Sequence, residues 1–351
     1  MRKYEQIGRL LKTRVRHGDY YLNEVPPERA LAAEMGVSYM TARRAVQALI
    51  DDGYLFRQSN GRLAANPAIS AEDKTIQVAV LLIGGILPNW GSYELEAAAR
   101  KAGVRLRSVL ANHWEDPTLI DAVNSFNGAF LFPSTTAMQP STQVIQKLSN
   151  ARKPVIILDA DWSDKGFPSI QPFPPTALAG AMDYLASLGH TKIDCLNVQP
   201  IDATGLLRIE QWQTWQAQHS ALGELFNLNF QGLVYEMAHA FMKARLEEGY
   251  RPEAILCITV PAAIGSSRAL CDFGIMPGKD VSLIAVNGEE VAEFVRPSIT
   301  AIERASLTPP LVKCMKWLAA GEKWSGPLNV ETDEPQLVIR ESTIPPRLAS
   351  H

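Results

Sequence analysis

From residue 76 to about residue 345, short apolar runs alternate with longer amphipathic segments, and few folds accept that order. The runs 76–83, 104–110, 128–132, 155–158, 193–196, 254–258 and 281–286 read as strands. Between and after them, 93–102, 119–126, 142–150, 176–188, 207–219, 235–247, 262–273 and 311–320 read as helices. Strand and helix in regular turn mean parallel sheets with helices packed over them, that is, doubly wound α/β layers. A chain of 351 residues is longer than one ordinary domain, so a second compact unit is expected.

The first 66 residues supply that unit. Tyr4, Ile7, Leu10, Leu11 and Val15 follow one helical face, with Arg9, Lys12, Arg14 and Arg16 around the rest, and Gly18 ends the helix. Pro26-Pro27-Glu28 opens a second helix, where proline suits the first turn and an acid favours the amino end, and Leu31, Ala32 and Met35 form its apolar face. Gly36-Val37-Ser38 is a tight turn whose serine can cap a third helix from Tyr39 to about Asp52, with Ala42, Ala45, Val46, Leu49 and Ile50 inward and Gly53 as its stop. Two short helices across such a turn make a helix-turn-helix. Tyr54 to Gln58 and Arg62 to Ala65 flank Ser59-Asn60-Gly61, and Asn-Gly predicts a hairpin, the wing. Residues 67–75 are poor in apolar side chains and read as a linker.

Charge separates the two units. Residues 1–70 carry 11 Lys+Arg against 7 Asp+Glu, and the remainder carries 23 against 30. A basic head on an acidic body predicts that the head alone meets a polyanion. No apolar run approaches a bilayer span, and the charged amino terminus lacks a signal-peptide core, so a cytoplasmic protein without membrane contact is expected. The four cysteines, Cys195, Cys257, Cys271 and Cys314, have neither metal-clip nor disulfide-scaffold spacing and read as buried thiols.

Arg43 and Arg44 lie within a turn or so of Ser38 and Tyr39, so the amino half of the third helix offers guanidinium groups to guanine edges or phosphates and hydroxyls to phosphate oxygens. Gly18-Asp19-Tyr20, Pro27-Glu28-Arg29, Met35-Gly36-Val37-Ser38, Thr41-Ala42-Arg43 and Gly53-Tyr54-Leu55 together resemble the winged helix-turn-helix of GntR-type bacterial regulators across nearly all of 1–66. The resemblance implies contacts to double-stranded operator DNA by Arg29, Ser38, Thr41, Arg43 and Gly61, with Tyr39, Arg44 and Arg62 beside them. Tyr39 stands where the family often has arginine or a small polar residue, and Arg62 where the wing often has threonine.

In open parallel sheets small molecules bind beyond the carboxyl ends of the strands. Those ends carry Trp90, Asn112, Trp114, Ser134, Asp161 and Trp162 in the first half of the body, then Asn197, Gln199, Thr259 and Asn287 in the second. Rings with hydroxyl, amide and carboxylate groups suit a polyol. The body also resembles the effector domain of lactose/galactose-type repressors through Gly189-His190, Arg208, Ala263-Ile264-Gly265, Pro277 to Ser282, Pro297 to Thr300 and a closing strand over 338–343. That resemblance implies a two-lobed periplasmic-binding-protein-like domain over 76–345, with three crossings between lobes, a ligand in the cleft and assembly as a homodimer. A GntR-like head on such a body is similar to arabinose-type repressors. Arg208 matches the arginine that reaches sugar hydroxyls in the family, while Thr259-Val260 replaces an Asn-Asp pair and Asn287 an aspartate. Losing two acids beside Arg208 shifts the expected effector from a neutral sugar toward an acidic one.

Nothing points to catalysis or to a cofactor. Gly84-Gly85 follows the first strand without completing GxGxxG or GxxxxGKT, no HExxH or GxSxG occurs, and His113, His190, His219 and His239 lack metal spacing. A DNA-binding dimer whose body has lost its effector and serves as scaffold is the alternative.

Overall fold

A computed structural model of the chain describes residues 3–16, 19–20, 24–66, 76–84, 89–133, 140–173, 177–199, 203–229, 232–286, 288, 290–321 and 324–344. The linker read over 67–75 lies outside the described residues. In the head, α1 (Lys3–Arg16), α2 (Glu28–Glu34) and α3 (Tyr39–Asp51) precede the antiparallel strands β1 (Leu55–Arg57) and β2 (Leu63–Ala65). Ile7, Leu11, Val15, Leu31, Ala32, Ala42, Ala45, Val46, Leu49, Leu55 and Leu63 close one core. Leu10 departs from its expected place and is exposed, because Leu11 already fills the inward position one turn above Ile7. Ser38 caps α3 by accepting from the Thr41 amide at 3.2 Å. Gly61 takes a φ of +80°, a conformation the wing turn needs and glycine adopts at little cost.

The body has two lobes, each built on a sheet. Among the described residues the first sheet runs β4 (Val104–Ala111), β3 (Ile76–Ile83), β5 (Ala129–Phe132), β6 (Val155–Leu158) and β7 (Ser169–Ile170), all parallel. It is flanked by α4 (Asn89–Ala102), α5 (Pro117–Ser125) and α6 (Thr142–Ser149). The second sheet runs β13 (Gln336–Val338), β12 (Thr300–Glu303), β11 (Ser282–Ala285), β10 (Ala254–Cys257), β8 (Ile193–Asn197) and β9 (Leu225–Asn227), parallel except for the β12–β13 pair. Its helices are α7 (Ala177–Ser187), α8 (Ala203–His219), α9 (Val234–Glu247), α10 (Val260–Asp272) and the short α11 (Val291–Phe294). Buried strands such as Val155–Leu158 are apolar on both faces because helices cover both sides.

The chain crosses between lobes three times. It leaves the first lobe after β7 and completes β8 to β12 in the second. It then returns for α12 (Thr308–Ala320), whose Leu311, Cys314, Met315 and Leu318 pack with Val78, Val80, Phe130 and Ile156. It goes back once more for β13.

Strands β7, β9 and β12, two to four residues long, are absent from the sequence expectation. The closing strand also lies at Gln336–Val338 rather than 338–343. The segment after it is held by point contacts: Leu283 N donates to Ser342 O at 2.8 Å, and Ile344 N to Ser282 Oγ at 2.9 Å. His190 completes that seam, with Nε2 2.8 Å from both Ser282 Oγ and Ile344 O.

Cys195, Cys257 and Cys314 are buried and Cys271 is half-buried. Burial pushes the Cys257 and Cys314 thiols up to about 12 and raises Cys195 further, so these sulfurs stay protonated and unreactive. Among the described residues no helix is long and apolar enough to cross a membrane.

Candidate DNA-binding and effector sites

The cap that starts α3 also shapes its exposed tip. Ser38 Oγ sits 2.8 Å from Thr41 Oγ1, so the two hydroxyls form one fixed polar point, and Tyr39, Met40 and Arg43 are exposed around it. Arg43 makes no hydrogen bond or ion pair among the described residues, and Arg29 likewise stands exposed and unpaired at the start of α2. Most other head arginines are engaged. Arg14 pairs with Glu34 at 2.7 Å, and Arg16 donates to Tyr54 Oη at 2.6 Å. Arg57 meets Glu28, and Arg62 meets Glu24.

Arg44 separates from Arg43. Its guanidinium carbon lies 4.5 Å from the Tyr4 ring centroid, so it covers α1 while Arg43 faces outward. Adjacent helix positions point about 100° apart, which is why the two arginines cannot share one face. Met40, which the sequence reading does not include, is also exposed at the tip of α3. An exposed thioether at the helix tip suits a thymine methyl.

The body's candidates divide three ways. Ser134 and Asn287 lie outside the described residues, and Trp90 lies in α4 with its side chain outside them. Trp114 and Trp162 belong to the core of the first lobe. Both are buried, their ring centroids 5.6 Å apart with Phe167 edge-on to Trp162, so they pack in that core, and the Trp114 indole N–H finds no partner among the described residues. Asp161 is exposed and accepts from Ser163 N at 2.9 Å, shaping the following 3₁₀ turn. Asn112 is exposed beside Asp116, and Asn197 is spent on Asn227 at 2.8 Å and on the backbone of Gln199.

Arg208 and Thr259 remain as buried polar groups of the second lobe. Arg208 stands in the second turn of α8 with 7% of its surface exposed, and its Nη2 donates at 3.2 Å to the carbonyl of Phe173, on the first crossing. Thr259, 1% exposed, is the N-cap residue of α10 just past β10, yet its hydroxyl caps nothing and finds no partner among the described residues. Trp212, one turn beyond Arg208, shares a core cluster with Ile258 and Val286, the residues that follow the carboxyl ends of β10 and β11. Its Nε1 also lacks a partner among the described residues. A buried donor without a partner costs roughly 1–3 kcal/mol, so these two groups near the strand ends are candidates for contact with a polar ligand. In the sequence Trp212 reads as part of an ordinary apolar helix face, and its i, i+4 relation to Arg208 is what places the two on one side of α8.

Comparison with known proteins matches two stretches of the chain to family models. Residues 3–63 match the family model of bacterial regulatory proteins of the gntR family, and residues 182–343 match the periplasmic binding protein-like domain. The HTH-type transcriptional regulator GalR of Streptococcus thermophilus is 24% identical over 168 residues, 46% of this chain and 50% of that protein. The ribose operon repressor of Escherichia coli K12 is 25% identical over 183 residues, 48% and 51% of the two chains. The chain thus spans about half the length of the curated relatives it matches. In fold it is similar to a lac repressor dimer solved with operator and the anti-inducer ONPF, with a TM-score of 0.63 and 18% identity over 78% of this chain and 96% of that one. It is also similar to the transcription regulator CcpA of Lactococcus lactis, with a TM-score of 0.60 and 19% identity over 77% and 99%.

Proposed function

The chain carries a gntR-type regulatory head fused to a periplasmic-binding-protein-like domain, and from that architecture we propose that it is a bacterial transcription regulator, a repressor that binds operator DNA as a homodimer and answers to a small polar effector. The observation that carries this proposal is Arg43, exposed and unpaired behind a serine-capped helix tip while neighbouring arginines are engaged. In a major groove that guanidinium can reach guanine O6 and N7 together, with Ser38 and Thr41 on a phosphate and Gly61 and Arg62 at the wing. Two heads on a two-fold axis would read a near-palindromic site. The protein would act in the cytoplasm, without catalysis and without a cofactor.

The effector we place against Arg208, Trp212 and Thr259. A guanidinium in a partly dry site grips several oxygens at once, a carboxylate best of all. With Val260 and Asn287 in place of acids, a uronate-like or phosphorylated sugar fits better than a neutral one. Its closure on Arg208 would be felt at Phe173, on the first crossing, and so alter how the lobes and the paired heads are set.

Two observations favour the alternative of a body that only dimerises the heads. Trp114 and Trp162 are consumed in a core, and Arg208 already reaches a backbone carbonyl. Titration calorimetry of the intact protein against neutral sugars, uronates and sugar phosphates decides between them. A uronate or sugar phosphate is expected to bind, and Arg208→Ala to weaken it by about 1.5–3 kcal/mol, the range for a hydrogen bond to a charged group. Tight binding of a neutral sugar, undiminished in the variant, would remove Arg208 and the acidic preference; no binding by any of the three classes would leave the scaffold.

A further inference from the structure

The wing holds two arginines, and the segment leading into and opening α2 meets each with a glutamate. The two pairs differ in kind. Glu28 has a side chain only 13% exposed and bonds Arg57, which also donates through Nη1 to the Gly61 carbonyl at 3.2 Å. Burial alone would push the Glu28 carboxyl up, but its own backbone N–H, the Arg57 guanidinium and the charge of Arg43 outweigh that and hold it below the ordinary value. Arg57 is therefore a strut of the wing. Glu24 and Arg62, by contrast, pair in the open, Oε1 to Nη1 at 2.5 Å, with side chains 61% and 62% exposed.

The backbone of Arg62 is fixed while its guanidinium is not. Arg62 N donates to Asn60 Oδ1 at 2.9 Å, and Arg62 O accepts from Gln58 N at 2.9 Å. Only the side chain is free to change partner. We infer that Glu24 is a built-in competitor for DNA phosphate: its carboxylate holds Arg62 in the free protein and surrenders it to the DNA backbone on binding. This rests on the head being a DNA-binding unit. An exposed ion pair is weak, because water screens both charges and two long side chains must be ordered. A phosphate contact gains in addition from the release of condensed counterions, so the guanidinium transfers. The transfer strands the Glu24 carboxylate beside a polyanion. Its charge therefore weakens binding to DNA of every sequence and flattens the salt dependence.

The test uses the full chain and a random-sequence 30-base-pair duplex, followed by fluorescence anisotropy between about 0.05 and 0.2 M salt, where phosphate contacts dominate. Glu24→Gln is expected to bind about three- to tenfold tighter at the low-salt end, with the gain shrinking toward 0.2 M as salt screens the stranded carboxylate, so that log K falls more steeply with log salt. Arg62→Ala is expected to bind more weakly with a shallower slope, and in its background Glu24→Gln gains less, because only the repulsion and no ion pair is then removed. Equal melting temperatures keep the comparison one of binding. Unchanged or weaker binding by Glu24→Gln, or a gain that survives intact in Arg62→Ala, overturns the competitor role while leaving the head a DNA binder. Failure of the unaltered protein to bind any duplex overturns both.

Discussion

Alanine at Arg43 is expected to weaken binding to an operator duplex by about 1–3 kcal/mol, roughly fivefold to more than a hundredfold, while binding to random duplex falls far less. The side chain is exposed, makes no ion pair among the described residues, and is carried on a helix whose start is fixed by the Ser38–Thr41 bond, so its loss removes a contact without removing the helix. Alanine favours the helix in any case. Lysine at the same position keeps the charge but not the planar fork, so it should restore random-duplex binding more than operator binding. Gel shifts with both duplexes separate these outcomes. Operator affinity equal to that of the unaltered protein would take Arg43 out of the set of base readers.

The second large effect is expected at the crossing that leads back into the first lobe. Glu94, buried on α4, accepts from Arg304 Nη1 at 2.9 Å, from Ser306 Oγ at 3.3 Å and from the Thr308 hydroxyl, three groups along that single crossing. Burial alone would raise its carboxyl, but the Thr308 and Arg304 bonds outweigh it and hold the group below the ordinary value. Glu94→Gln removes the carboxylate charge that faces the nearly buried Arg304 guanidinium and weakens the bonds that converge on it, and breaking such a buried pair costs about 3–5 kcal/mol. The sign with pH follows from the lowered folded value. The contribution is complete above the ordinary glutamate value of about 4.3 and is lost as pH falls through the folded one, so the gap between the variant and the unaltered protein should be widest at neutral pH and shrink in acid. Urea unfolding at neutral pH and near pH 3 reads both. Equal stability at neutral pH would mean that the crossing is held by packing alone.

How far these sites were legible depends on the range of each interaction. Buried parallel strands announce themselves because both faces must be apolar, and 155–158 is Val-Ile-Ile-Leu throughout. Ser169–Ile170 offers two residues and no period, and is a strand only because β6 lies beside it. The Ser38 cap, a contact over three residues, is local and was legible. Glu24 with Arg62 spans 38 residues and Glu94 with Arg304 spans 210, and no local pattern records either. The tryptophans show a different limit. Trp114 and Trp162 follow strand ends as cleft residues would, but a side chain's direction at a strand end is set by the neighbours it can reach, and each reached the other. Arg208 is marked by the resemblance, whereas Trp212 has no local signal, and only the structure shows that its buried indole N–H lacks a partner among the described residues.

The most direct test of the whole account is the affinity of the intact protein for a duplex selected from a random-sequence pool, measured beside an unselected duplex of equal length at about 0.15 M salt. A regulator of this kind is expected to prefer the selected duplex by about a thousandfold or more, with two chains on each near-palindromic site. Equal affinity for the two duplexes would contradict the assignment of the head, and with it the proposed function.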